Sequence, residues 1–377
     1  MADVTIVGAG PVGMLLAGDL VSAGVDVEVL ERRPAAGDGT RAIGVHAPVL
    51  ATLEPSGVTD HLLAHAVRVR RGEACSGGRT LGSVRFDRLS ARFPFVATLP
   101  QSATEAVLAA RAPEPRRGTA VLSVRARGDG VRIRAEANGG WVELETRIVV
   151  VAAGAGGRHL VYRPNAVPSR EYPDRYLMTD APAAPADVAV VHLDADGVLE
   201  SFPLPGGLRR YVAWDDARAD PDPSARAERL RSVISRREGA AGAAAVTGAT
   251  GFGVRRFVAP RLRNGSVFAI GDTAHEVSPI GGQGMNLGLL DAATLAPLLI
   301  DWLRTGDPPD AALRRWESRR VRSARAAARL AWVNTSLGRP LPVGVDRARQ
   351  TAVRAMLAPP VDRLFAHAYS MGLDADA

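Results

Sequence analysis

A chain of 377 residues, 46% of them hydrophobic, has the material for a large core and for two lobes. Its one cysteine, Cys75, excludes an intrachain disulfide and a cysteine-cluster metal site, which fits a reducing compartment. A net charge of +7 would suit a polyanion, but all 47 basic residues are arginine in a chain also rich in Ala and Gly; the excess reads as codon composition, and no nucleic-acid partner is expected.

The N-terminal MADVTIVGAG has no charged leader, and no apolar run approaches the roughly 18 uncharged residues that a membrane span needs. The expectation is a cytoplasmic protein without such a span. Residues 4–7 form a short apolar run like a buried parallel strand, and after a group of glycines Met14, Leu15, Leu16, Leu20 and Val21 recur at helical spacing until Gly24. Val25, Val27 and Val29 then alternate as a second strand, which completes a βαβ unit. Within it Gly8, Gly10 and Gly13 make G-x-G-x-x-G, and Glu31 and Arg32 close the second strand. Such glycines permit a tight turn and let amides at a helix N-terminus approach a pyrophosphate, while the carboxylate receives ribose hydroxyls. The order points to a dinucleotide held by Gly8, Gly10, Pro11, Val12, Gly13, Glu31 and Arg32, without separating a flavin from a nicotinamide form.

Residues 68–100 and 164–264 have a different texture. Short alternating segments, separated by turns such as Asp194-Ala195-Asp196-Gly197, predict a mostly antiparallel sheet inserted into the α/β fold. Between them, residues 103–112 read as helix and residues 131–135 and 141–151 as strands. Residues 267–270 return to strand, followed by a glycine-rich loop and a helix over 285–302. Beyond it the chain is helical and arginine-rich, broken by Gly338-Arg339-Pro340-Leu341-Pro342, and its densest basic run, 314–329, reads as a solvated helix face. The predicted fold class is α/β: a doubly wound, Rossmann-like domain from residues 1–67, 101–163 and 265–377, helical C-terminus included, with a β-rich substrate domain from 68–100 and 164–264.

Gly271-Asp272-Thr273-Ala274-His275, followed by Pro279-Ile280-Gly281-Gly282-Gln283-Gly284-Met285-Asn286 and Asp291-Ala292, resembles the second FAD fingerprint of the para-hydroxybenzoate hydroxylase family, the class A flavin monooxygenases. Arg41-Ala42-Ile43-Gly44 resembles the family segment whose arginine lies beside the flavin, and residues 95–106 resemble the segment whose glutamine, here Gln101, approaches FAD. The C-terminus resembles the short members, which lack a thioredoxin-like domain. The resemblance implies FAD as cofactor, with Gly271 and Asp272 at the ribityl chain and Pro279, Gly282, Gln283, Gly284, Met285 and Asn286 around the isoalloxazine. It implies NAD(P)H as a transient reductant, dioxygen as co-substrate, and hydroxylation or epoxidation of a small aromatic or polyketide-like molecule through a flavin C4a-hydroperoxide. Phe202, Tyr211, Trp214 and Phe252 are candidates to line the substrate space. His275 is expected to be a structural hydrogen-bonder, His46 and His192 to be satisfied or exposed. No side chain is identifiable as an obligatory acid or base.

Where the family carries A-D-G-x-R-S, this chain reads Gly154-Ala155-Gly156-Gly157-Arg158-His159. Ala155 takes the place of an aspartate in a motif that serves both FAD and NAD(P)H. Its loss predicts slow reduction by NAD(P)H and keeps a second reading open, a non-oxygenating flavoenzyme on the same scaffold: a dehydrogenase, an oxidative cyclase or an enzyme with structural FAD.

Overall fold

A computed structural model describes residues 1–37, 42–128 and 130–376. Its centre is a five-stranded sheet in the order Arg263–Asn264, Val267–Ala269, Ile148–Val151, Val4–Val7, Val27–Leu30. The last four strands are parallel to one another, and Val4–Val7 lies in register between Ile148–Val151 and Val27–Leu30. Both faces of Val4–Val7 are buried, which is why it reads as a continuous apolar run. Val4, Ile6, Val29 and Val150 face the helices Pro11–Ser22 and Gly284–Thr305. Val7, Leu30, Val149 and Val151 face an antiparallel three-stranded sheet of Thr119–Arg127, Gly130–Ala137 and Gly140–Thr146. The extended run expected over 141–151 is therefore two strands, divided at Arg147, that belong to two different sheets.

The two β-rich stretches meet in one eight-stranded sheet, where Val188–Asp194 pairs in parallel with Arg71–Ser76 and antiparallel with Gly197–Leu204. The expected turn at Asp194-Ala195-Asp196-Gly197 joins the latter pair as a hairpin. Val67–Val69 and Val96–Thr98 leave this sheet and pair instead with each other and, through Val96–Thr98, with Gly44–Val45. One element within 164–264 escaped the β reading. Helix Pro223–Glu238 is capped by Asp222, whose carboxylate accepts from the amides of Ser224 and Ala225, and it buries Ala227, Leu230 and Ile234 against one face of the sheet.

The helix Gly284–Thr305 is long and apolar enough by composition (mean hydropathy 1.2) to pass for a membrane span, yet Asp291, Asp301 and Arg304 interrupt it, so no run of 18 uncharged residues arises. Here it is a core helix, packed on Pro11–Ser22 and on the long helix Asp310–Leu337. At its centre Asp291 is fully buried and takes three hydrogen bonds: from the Gly271 amide (3.0 Å), from His275 Nε2 (2.6 Å) and from Arg320 Nε (2.8 Å). Arg320 also donates to Asp374 (2.7 Å), Asp376 (3.1 Å) and the Leu287 carbonyl (3.0 Å). The structural role expected of His275 is thus seen directly, whereas the reading of 314–329 as wholly solvated fails at Arg320, which is 0% exposed. Complete burial opposes the Asp291 charge, but His275 and Arg320 outweigh it and hold the carboxyl below the usual carboxylate range.

Breaking a buried pair leaves an uncompensated charge. Asp291→Asn is therefore expected to cost about 3–5 kcal/mol of unfolding free energy in urea, against less than about 0.5 kcal/mol for exposed Arg325→Ala. Because the folded-state pKa of Asp291 is depressed, its contribution is present above the unfolded carboxylate pKa of about 4 and is lost as pH falls below it. An Asn variant as stable as the parent would show that the cluster is dispensable.

Candidate active site

One cavity of about 850 Å³ runs from the first glycine loop to the inner face of the eight-stranded sheet. At its near end the three glycines divide the work. Gly8 has φ +111°, and a Cβ there would lie 2.5 Å from the Ala152 carbonyl; a Cβ on Gly13 would strike the Gly8 carbonyl. A Cβ on Gly10 would meet no protein atom within 4 Å, so Gly8 and Gly13 serve close packing while Gly10 opens onto the cavity. Helix Pro11–Ser22 begins at Gly10 with no side-chain cap and with Pro11 in its first turn, which leaves amides of that turn turned towards the cavity wall formed by Pro11 and Val12.

Glu31 lines the same end and is 6% exposed. It accepts from the Ala9 amide (2.9 Å), the Arg33 amide (2.9 Å) and Arg33 Nε (3.0 Å). Burial works against its ionisation, yet these donors hold its carboxyl below the usual range, so the residue is a fixed anion at neutral pH. Arg32 lines the cavity but is itself exposed, and Arg33, which sequence reasoning missed, carries the ion pair.

Further along stand Gln101, Gly271 and Asp272. Gln101 accepts from the Ala42 amide (3.2 Å) and donates to Glu105 (2.8 Å). Arg158 donates to the Asp272 carbonyl (2.9 Å) and to Glu276 (2.8 Å), and its guanidinium lies 3.9 Å from the centre of the Phe257 ring. It is a second residue missed as a site component, although it is the arginine of the A-D-G-x-R-S pattern. Gly154 and Gly156 line the cavity on either side of Ala155. Arg41 lies outside the described residues.

At the far end Pro279, Gly282, Gly284 and Met285 line the wall, and Gly281 and Gly282 have φ of +100° and +68°. Gln283 and Asn286 do not line it. Gln283 donates to the Ala368 carbonyl (3.2 Å), and Asn286 donates to the carbonyls of Gly44 (2.8 Å) and Gly282 (3.0 Å) while accepting from the His46 amide (2.9 Å). Both brace the glycine loop rather than face the cavity. The His46 ring is buried and half satisfied: it lines the cavity, hydrogen-bonds the Gly282 backbone, and leaves Nδ1 unpartnered among the described residues. Burial depresses its pKa to about 4, so the ring is neutral at pH 7. His192 is paired with Glu238 at 3.3 Å.

Beyond the glycine loop the cavity widens into an apolar chamber walled by Met178, Val191, Leu193, Val212, Val254 and Ile280. Phe202 and Phe252 line it, whereas Tyr211 packs on the opposite face of the sheet and Trp214, half-buried at the edge of the apolar cluster, turns its indole N–H towards Asp174. A fixed carboxylate and an uncapped helix start at one end, a glycine loop feeding a second helix N-terminus at the other, and an elongated space between them suit a flavin adenine dinucleotide. Among the described residues no group of three acidic, histidine or cysteine side chains is placed for a metal.

Residues 1–331 match the family described as FAD binding domain. The chain belongs to that family. It is 31% identical over 328 residues to a 12-dehydrotetracycline 5-monooxygenase/anhydrotetracycline 6-monooxygenase of Streptomyces rimosus, covering 82% of this chain and 64% of the relative. It is 30% identical over 309 residues to a rifampicin monooxygenase of Rhodococcus hoagii, covering 78% and 63%. The chain thus spans somewhat less than two thirds of the length of these relatives. A p-nitrophenol 4-monooxygenase from Pseudomonas putida superposes with a TM-score of 0.89, at 22% identity and 98% coverage of both chains, and shares the fold. The anhydrotetracycline hydroxylase of Streptomyces rimosus superposes with a TM-score of 0.80 at 28% identity, over 99% of this chain and 76% of that one.

In this FAD-binding protein Glu31 is the anchor expected at the adenosine ribose. Glu31→Ala should raise the FAD dissociation constant about 10- to 100-fold, the loss of a charged hydrogen-bond acceptor. Fluorescence titration of the apoprotein measures it, and an unchanged constant would remove Glu31 from the site.

Proposed function

We propose that the protein is an FAD-dependent monooxygenase of the cytoplasm, which inserts one atom of dioxygen into a small aromatic or polyketide-like molecule with NAD(P)H as transient reductant. The observation that carries this reading is the continuity of a single cavity from the dinucleotide-binding loop to an apolar chamber under the sheet. The relatives named for tetracycline and rifampicin monooxygenation support it. FAD supplies the redox chemistry and the activation of dioxygen when bound.

The protein's own residues do the rest. The Glu31 carboxylate and the amides at the start of Pro11–Ser22 hold the ribose and pyrophosphate, and Asp272 holds the ribityl hydroxyls, braced through its carbonyl by Arg158. Gly282 and Gly284 let backbone amides come close to the flavin ring, and helix Gly284–Thr305 directs its positive end at the same place, which favours negative charge there. The chamber wall keeps water from the reacting atoms and orients one atom of the substrate. In this reading residues 1–67, 101–163 and 265–377 hold the cofactor, and residues 68–100 and 164–264 shape the substrate space between their sheet and the flavin.

Ala155 bears on the reductant. Gly154, with φ 64°, leads into the Ala155–Leu160 turn, and its carbonyl accepts from Thr273 Oγ1 at 2.9 Å, so the segment is held in place without an aspartate at position 155. What is missing is its charge.

Incubation with ¹⁸O₂, NADPH and a panel of polycyclic phenols should yield a product about 18 mass units heavier than its substrate, since one ¹⁸O atom is inserted and no hydrogen is lost, with matching oxygen uptake. Uptake that yields only hydrogen peroxide across the panel, even with dithionite-reduced protein, would instead favour the non-oxygenating reading. In stopped-flow measurements reduction by NAD(P)H should be slow and weakly saturable, and Ala155→Asp should accelerate it. Fast, saturable reduction of the unaltered protein would show that the aspartate is not needed here.

A further inference from the structure

Among the charged side chains that the eight-stranded sheet turns to the cavity, Glu73, Arg210 and Arg255 are each ion-paired, with Arg71, Asp180 and Glu171, and Glu200 has no such partner among the described residues. Along strand Gly197–Leu204, Leu199 packs towards helix Pro223–Glu238, whereas Val198, Glu200 and Phe202 point to the other face. Glu200 stands between Val191 and Val212 in the strand ladders, and both of these line the chamber with it. It is 7% exposed, and among the described residues its carboxyl has neither a hydrogen bond nor an ion pair.

The nearby cations are committed elsewhere. Arg210 forms a bidentate pair with Asp180 (2.6 and 2.7 Å), Arg209 donates to Ser201 and to the Val188 carbonyl, and Arg339 is paired with Asp174 at 2.8 Å. The hydroxyl of Tyr369, which also lines the chamber, donates to Asn334 at 2.7 Å. Burial alone pushes the Glu200 carboxyl up to about 8. Holding an unpaired carboxyl in such a wall costs stability, and at a ligand-sized cavity that cost marks a group kept for contact with a ligand.

We propose that Glu200 is the substrate anchor of the chamber: its carboxyl accepts a hydrogen bond from a hydroxyl or amine on an otherwise apolar ring skeleton, so that phenol-, enol- or arylamine-type molecules are preferred to their alkylated counterparts. The inference rests on the reading of the chamber as the substrate site. Whether ionised or not, the group keeps an acceptor oxygen. Fixing one polar end of a flat molecule at Glu200 turns the remainder of its skeleton along the apolar wall formed by Val191, Val212 and Ile280, towards the Gly281–Gly284 loop.

The test uses the FAD-loaded protein with two probes, 1-naphthol and 1-methoxynaphthalene, followed by calorimetry and by perturbation of the flavin spectrum. The unaltered protein should bind the naphthol at least about tenfold more tightly than its ether, as one buried hydrogen bond to a carboxyl implies. In Glu200→Leu the naphthol and ether should differ by less than about twofold, while Glu200→Gln, with its amide oxygen, should retain part of the preference. Glu200→Leu should also melt no lower than the parent, since it removes an unpaired buried carboxyl. Equal binding of naphthol and ether by the unaltered protein, an unchanged preference in the Leu variant, or a lowered melting temperature of that variant would each overturn the proposal. Binding needs no turnover, so absence of an oxygenated product counts against the monooxygenase reading alone.

Discussion

The structure depends on one buried carboxylate. Asp291 takes the amide of Gly271, the ring of His275 and the guanidinium of Arg320, and so ties the loop that carries Asp272 to two long helices and, through Arg320, to Asp374 and Asp376 near the chain's end. Taking such charges out of water costs several kcal/mol per ion, and only complete pairing offsets it. Here pairing is nearly complete, with Arg320 satisfied by three carboxylates and the Leu287 carbonyl. The arrangement stabilises little against an apolar core of the same volume, but it admits one geometry. That geometry is what a cofactor loop requires, because Gly271 and the backbone that follows must stand at a fixed place relative to the first glycine loop.

Against this fixed frame two helix starts point into the same cavity. Pro11–Ser22 and Gly284–Thr305 both lack side-chain caps and acidic residues in their first turns, so neither is neutralised by the protein itself. Positive potential at both ends of an elongated space suits a ligand with a pyrophosphate towards one end and an electron-accepting ring at the other. The glycines between them are explained by space and backbone: Gly8 and Gly13 by contacts that a Cβ would violate, Gly281 and Gly282 by positive φ. The apolar chamber beyond excludes water and strengthens whatever polar contact it contains.

How much of this was legible in the sequence follows from how each residue is used. The unit from Val4 to Leu30 was readable because burial on both faces, helical spacing and a glycine loop each leave a periodic mark. Helix Pro223–Glu238 was missed because its apolar stripe is only Ala227, Leu230 and Ile234 among many charges; Asp222 followed by Pro223 was the signal that could have found it. Arg320 was hidden in a basic run, since sequence shows charge but not which member turns inward. Glu200 was invisible for a related reason: its strand is buried on both faces and has no polar alternation to break. Gln283 and Asn286 were rightly associated with the glycine loop, but only hydrogen bonds to Ala368, Gly44 and Gly282 reveal that they support it from behind.

The account stands on where FAD lies. A crystal structure of the FAD-loaded protein tests it most directly. It should show the adenosine ribose within hydrogen-bond distance of Glu31, the pyrophosphate at Gly10 and Pro11, and the isoalloxazine against Gly281–Gly284 with one face open to the chamber that holds Glu200. An isoalloxazine bound away from that loop, or a chamber closed off from it, would contradict the account.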